Sequence, residues 1–440
     1  MRISRRSAIA TAVALVASLP VGTKPTRARV LSAGPNDYRH LLGRLRPGDE
    51  LRLAPGTYRE GLGLAGLHGT AENPIVISGP ANRSALFLAR PGHNTVELRD
   101  ASYLELRDLT LDGRNIPGVD GVKSQAVTHH ITLERLAILN HAAHQQMVGI
   151  STKAPAWAWI IRNNVIRGAG TGLYLGNSDG TAPFVHGLIE GNLITDTIGY
   201  GLQIKHQVAR PEIPGMPTQP GSTIIRHNIV SKARQPQRGF QGSRPNLLVG
   251  HLPSYGPGLE DAYEIHGNLL YENLVGEPLF QGEGNVAFHD NLLINRHGDA
   301  VWIQPHNDRP RRITLHHNTV VARGRGVLVA GGLPGFQQIV ARNAVFAEQP
   351  IEGGEQLDNL TADYGAASRY LRGPFGDWRT LDLRPRPGQL QRPFAETDRA
   401  QPYAPAQRDF AGNLRDGRHI GAYAGPDVAR EGPLGFPPTL

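Results

Sequence analysis

The chain has no cysteine among its 440 residues, so no disulfide can hold it together and its stability must come from buried apolar contact. Aromatic residues are scarce at 6%, whereas Gly (53) and Pro (34) are abundant, a balance that suits many tight turns around a thin aliphatic core. No apolar run is long enough to span a bilayer; the one candidate, residues 8–19, is too short. A strong basic excess is also missing. The formal charge is +8, but Arg2, Arg5, Arg6, Lys24 and Arg27 fall within an acid-free first 28 residues, which leaves 8 − 5 = +3 for the rest. That mild balance argues against a nucleic-acid partner. At this length, one elongated domain or two compact ones would fit.

Residues 1–28 have the layout of an export signal: Ser4-Arg5-Arg6-Ser7-Ala8-Ile9, a short apolar stretch, Pro20, and a cleavage position after Thr26-Arg27-Ala28. The paired arginines resemble a twin-arginine leader without its usual Phe-Leu-Lys continuation, and a Sec route stays open. The expected destination is the periplasm or the outside of the cell.

What the chain does have is a repeated phrase: two apolar residues, a polar one, any residue, Asn, two apolar residues. It centres on Asn164, Asn192, Asn228, Asn268, Asn291, Asn318 and Asn343, at intervals of 28, 36, 40, 23, 27 and 25 residues. A second apolar phrase follows most copies, as in Gly-Leu173-Tyr-Leu175 and Gly-Leu202-Gln-Ile204. No segment inside the repeats has helical periodicity, and Val, Ile and Leu alternate with polar residues as in half-buried strands. Short strands recurring at such a period make a solenoid in which each turn buries its apolar side chains against the next. An Asn at one fixed corner can bond the backbone of the bend and stack amide on amide along the axis. The reading is an all-β parallel β-helix over residues 29–350. A short N-terminal capping helix is expected over residues 36–46, with Asn36 or Asp37 as its cap. Leu109 and Leu136 take the ladder position in the first turns. A Pro-rich C-terminal extension, residues 351–440, is expected to pack on the last coils.

The phrases GDELRLAPGTYRE, GTAENPIVI and YLELRDLTLDG resemble the amino-terminal coils of the right-handed parallel β-helix, or pectin-lyase-like, superfamily, near its chondroitinase B and alginate lyase branch. The resemblance spans residues 47–345, and DFAGNLRDGRHIGAYAGP resembles a closing segment found there. It implies a right-handed helix and a substrate groove on the strand that follows the Asn turn. That branch also places a basic residue on this strand face, with paired glutamates for calcium just before it. Gly199-Tyr200-Gly201-Leu202-Gln203 carries none, so that calcium site is absent.

With Leu202 facing in, the first outward column reads Lys123, Ser151, Tyr174, Gln203, Leu248, Phe280 and Trp302. The second reads Lys153, Gly176, Lys205, Gly250, Gly282 and Gln304. The third reads Asn177, His206, His251 and Glu283, then Pro305 beside His306. The longest loops, residues 207–222 and 231–245, frame the same rung and add Arg210, Lys232, Arg234, Arg238 and Arg244. Insertions on one face of a solenoid commonly form its binding surface. Basic groups and aromatic faces together suit an acidic polysaccharide, with Arg pairing to carboxylates or sulfates. Substrate contacts are expected from Gln203, Arg210, Arg234, Arg244, Trp302, Gln304 and His306.

Elimination from a uronate needs a neutralised carboxylate, a base for the α-proton and an acid for the leaving oxygen. Lys205 is the candidate base, its pKa depressed by desolvation and by His206 and Arg238. Arg234 or Arg238 would neutralise the carboxylate, and Tyr174 or His251 would be the acid. An alternative is a divalent-metal site of His206, His251 and Glu283, although no cofactor is required. His227, His266, His289, His316 and His317 read as structural or solvated. Hydrolysis needs two carboxyls about 5–9.5 Å apart. Asp179 and Glu283 stand three turns from one another, about 14 Å at the strand spacing, and Asp261 and Asp299 would have to fold inward. The expected function is a lyase of acidic polysaccharides acting as a monomer. C5 epimerisation, which starts with the same proton abstraction, and a non-catalytic glycan-binding or surface-structural β-helix are the alternatives.

Overall fold

The computed structural model describes residues 28–234, 244–392, 407–415 and 417–428. The export signal expected over residues 1–28 therefore lies outside the described residues, apart from Ala28. The strands pair in parallel from coil to coil and line three faces of a solenoid. One face is a sheet of its own that runs from Val30–Ala33 to Glu355–Leu357. The strands before and after the second turn form the other two faces, which join into one sheet where Thr319–Val329 runs through the corner unbroken. Along one inward column Ile161, Ile189, Ile225, Ile265, Phe288, Leu315 and Val340 stack fully buried, which supplies the continuous aliphatic core that a disulfide-free chain needs.

The corner asparagines form a ladder. Each Oδ1 accepts from the backbone N–H and the Nδ2 of the Asn one coil earlier, at 2.9–3.0 Å throughout from Asn164 to Asn343. Each Nδ2 also donates to a strand carbonyl of the previous coil, as Asn192 does to Ile161 at 2.8 Å. Leu136 holds the equivalent place in the first turns, its N–H donating to Asn164 Oδ1 at 2.9 Å. The ladder continues past residue 350 to Asn359, and paired strands continue to Ala362, one coil beyond the boundary read from sequence. The residue before every ladder position lies in the left-handed region: Asn163, Gly191, His227, Gly267, Asp290, His317, Arg342 and Asp358 all have φ between 51° and 66°. The unspecified position of the repeated phrase is thus the bend itself, where Gly, Asn and Asp are cheapest.

The first rung is covered by a helix shorter than expected, Arg39–Leu42, which begins after Tyr38 with no side-chain cap rather than with Asn36 or Asp37 as its cap. Asp37 instead accepts from the Gly34 N–H at 2.6 Å, closing the turn that delivers Tyr38, Leu42 and Leu45 onto the open end of the core. Beyond the last coil, the helix Ala367–Tyr370, the hairpin Leu371–Gly373 with Asp382–Pro385, and residues 407–428 lie along the outside of one face. There Leu371, Leu383, Phe410, Ile420 and Tyr423 bury Tyr271, Ile294, Val321 and Phe346. No helix among the described residues is long and apolar enough to cross a membrane.

Candidate functional site

The face expected to hold substrate is built from the strands Thr171–Leu175, Leu202–Ile204, Leu247–Val249, Phe280–Gly282 and Val301–Ile303, each paired with the next. Lys123, Ser151, Tyr174, Gln203 and Leu248 form one outward column. The next members are Gln281 and Trp302, not Phe280. Phe280 points inward, fully buried and stacked on Phe288 at 4.5 Å, because Leu279-Phe280 offers two adjacent apolar side chains and a one-residue shift exchanges faces. The same shift moves Gly282 to the inward column and sets Glu283 beside Gly250 and Gln304, one place earlier than the sequence alignment put it.

Lys205, His206 and His251 come together on this wall. The two imidazoles stack at 5.1 Å, and Lys205 Nζ lies 5.9 Å from the Tyr174 ring centroid, with Lys153 Nζ at 4.9 Å from the same ring. Burial is the main reason the Lys205 ammonium is pushed below its ordinary range; Arg244 adds to this and Glu283 opposes it. His206 is likewise lowered, first by burial and then by His251 and Lys205. The Tyr174 hydroxyl is pushed up by burial and so keeps its proton. Among the described residues, the buried Ser151 Oγ, Gln203 Oε1 and His206 Nδ1 have no hydrogen-bond partner. Orphaned groups of this kind normally call for water or a ligand.

Tyr200 is a member of the group that the sequence reading passed over. Its ring faces the Arg244 guanidinium at 5.7 Å, and burial raises its hydroxyl pKa. The signal was a large residue held between two glycines. A Cβ at Gly199 would meet the Gln145 side chain at 2.7 Å and one at Gly201 would meet Val230 at 2.2 Å, so the glycines let this segment pack close against its neighbours. Arg244 is itself anchored: its carbonyl accepts from the buried Lys232 Nζ at 2.6 Å and from Asn273 Nδ2 at 2.9 Å.

Other expected residues fall elsewhere. Arg210 is not a groove residue. Its side chain is buried, paired with Asp261 and bonded to the Pro217 carbonyl, so it ties its loop to the next coil. Arg234 is largely exposed and faces Asp196 at 3.4 Å. Arg238 lies outside the described residues. Trp302 Nε1 donates to Asp299 at 2.8 Å, with its ring half-buried three ladder steps from Gln203. Gln304 and His306 lie on the same coil, Gln304 half-buried and His306 exposed.

Glu283 is committed to the backbone. Its buried carboxylate accepts from the amides of His251, His306, Asn307 and Asp308 at 3.0–3.3 Å. It fixes the His251 strand end against the 306–308 turn, and among the described residues no three His, Asp or Glu side chains are placed to hold a metal ion. Asp179 is held by Asn177 and Thr181 within its own turn.

Three of the ladder-corner histidines form a column. His266 stacks on His289 at 4.9 Å and His289 on His316 at 4.7 Å, with interplanar angles of 3° and 7°. Burial drives His266 and His316 down to about 3. The column is structural, as expected, but it is packed rather than solvated.

Residues 148–345 match the family model described as right handed beta helix region. Among solved structures, the GH136 lacto-N-biosidase from Eubacterium ramulus superposes with a TM-score of 0.53 at 12% identity, over 76% of this chain and 68% of that one. Pectate lyase Pel9A gives 0.46 at 11% identity over 92% and 97% of the two chains. The PL6 family alginate lyase AlyGC gives 0.44 at 13% identity over 76% of this chain, which spans about half (53%) of that protein. At such identities the likeness is one of fold. No curated protein matches the chain.

Proposed function

We propose that this right-handed, pectin-lyase-like parallel β-helix acts on an acidic, uronate-containing polysaccharide, and that it does so by β-elimination at the Lys205 rung. The observation that carries the reading is a half-buried lysine with a depressed pKa, set beside Tyr174, the stacked His206–His251 pair and an anchored Arg244 on one outer wall. Arg244 neutralises the uronate carboxylate, which acidifies the proton on the adjacent ring carbon. Lys205 Nζ, when neutral, takes that proton. The C–H electron pair becomes the new ring double bond, the bond to the glycosidic oxygen breaks, and the Tyr174 or Tyr200 hydroxyl supplies the proton that this oxygen gains. The high hydroxyl pKa of both tyrosines keeps them protonated and so able to serve as the acid.

The test is incubation with a panel of uronate polymers while ultraviolet absorbance from unsaturated chain ends is followed. Absorbance that grows with wild-type protein and falls by at least about 100-fold in Lys205→Ala supports elimination. Inverted uronate stereochemistry without absorbance would identify an epimerase that returns the proton to the opposite face. Unchanged polymer, together with glycan binding undiminished in Lys205→Ala and His206→Ala, would leave a binding module. The proposed setting is outside the cytoplasm, directed by residues 1–28, with the protein acting as a monomer.

A further inference from the structure

The groove face does not begin at Tyr174. The outward column runs back through Ser151, Lys123 and Glu97 to Gly63 on the first rung. At that end the face hollows into a cleft of about 420 Å³, lined by Arg39, Glu60, Gly63, Arg90, Asn94 and Glu97 among others. Among the described residues strand Leu62–Ala65 pairs only with Val96–Arg99, and the helix Arg39–Leu42 forms the wall on its other side. The cleft is therefore bounded at the amino end. Its charges are of both signs and already paired: Glu60 faces Arg39 at 3.4 Å and Arg90 at 2.9 Å. Such a lining has no net anion or cation to capture. It offers donors beside acceptors, the pattern that vicinal ring hydroxyls satisfy. The floor is open because Gly63 has no side chain, and a Cβ there would meet nothing within 4 Å.

We propose that this cleft is a subsite for the terminal sugar of a glycan chain whose body lies along the outward column toward Tyr174. This rests on the glycan reading of the Lys205 rung. Four ladder steps separate Gly63 from Tyr174, about 19 Å at the spacing between strands, close to the reach of about four extended sugar units. The capping helix limits how far a chain can extend in that direction, so the groove takes the polymer by its end.

The experiment is calorimetric titration of the full chain with uronate oligomers from di- to octasaccharide, for wild type, Gly63→Trp and Arg90→Ala. Gly63→Trp fills the cleft from an exposed strand position that does not need a positive φ. Arg90→Ala removes a donor without adding bulk and guards against misfolding of the first variant. Wild-type affinity is expected to rise with length and level off once the chain spans the four steps. Both variants should lose that gain, binding the octasaccharide about 10-fold more weakly while binding the disaccharide as wild type does. Equal affinities for all three proteins at every length would overturn the subsite and leave the Lys205 reading standing. Failure of wild type to bind any oligomer would overturn both.

Discussion

Lys205 shows what burial does to one side chain. Its ammonium is desolvated on a wall that also carries Arg244, so the neutral, proton-accepting form becomes available below the ordinary lysine range. Turnover should therefore rise with pH, with the inflection in kcat/KM below 10.5, and Lys205→Arg should lose that limb together with activity. A pH profile without an inflection in that region would remove Lys205 from the role of base. Arg210 teaches the opposite lesson. A loop arginine reads from sequence as a solvent-facing cation, yet its partner Asp261 arrives 51 residues later, a distance over which composition carries no information. Arg210→Ala should lower stability by about 3–5 kcal/mol, because it leaves Asp261 buried with only His186 and the Gly221 N–H against its carboxylate, and chemical denaturation would measure it. Tyr200 went unread for a related reason: its place depends on how two glycines pack against neighbouring coils, not on the strand pattern around it.

At the scale of a strand or a corner, legibility followed burial. Seven corner asparagines shared one apolar frame because both flanks of each coil are covered. Asn359 escaped because the strand before it, Glu355–Leu357, belongs to the last rung and is largely exposed, so it carries Glu and Gln where inner coils carry Ile. The groove columns were legible as far as Leu248 and slipped at Phe280, where alternation failed. Asn268→Ala, in mid-ladder, should cost roughly 3 kcal/mol. It strands the Ile225 and His266 carbonyls together with the Asn228 donors, and the loss would appear in urea unfolding. The histidine column gives a pH dependence with a defined sign. His266 and His316 bind protons near 6.5 when unfolded but only near 3 when folded, since burial and stacking disfavour the imidazolium. Their contribution to stability is complete above pH 6.5 and declines as pH falls toward 3. The flanking Asp290, Arg226 and Arg415 modulate this without changing its direction. Thermal melts of wild type and His266→Asn/His316→Asn should converge as the pH drops from 7 to about 4.

Over the whole molecule, the absence of disulfides is compensated by continuity. One core runs from Ala33 to Ala347, and a second layer is laid over the later coils by the carboxy-terminal segments. Arg415 pairs with the buried Asp290, and the Gly421 N–H donates to the Arg342 carbonyl at 2.8 Å, so this layer grips the same corner that carries the histidines. Truncation after Ala362 should expose Tyr271, Ile294, Val321 and Phe346 and yield an aggregating product, visible by light scattering, even though every coil is retained.

The unequal spacing of the ladder asparagines has a mechanical corollary. Each coil is fastened to the next by strand bonds and by its corner amide, so tension on the two ends would strip the solenoid one loop at a time. Every rupture would free a length of chain fixed by its own interval, from about 80 Å for the 23-residue loop to about 140 Å for the 40-residue one. A single-molecule pulling trace would then be an irregular sawtooth, and the order of its long and short teeth would reveal the end from which the molecule yields.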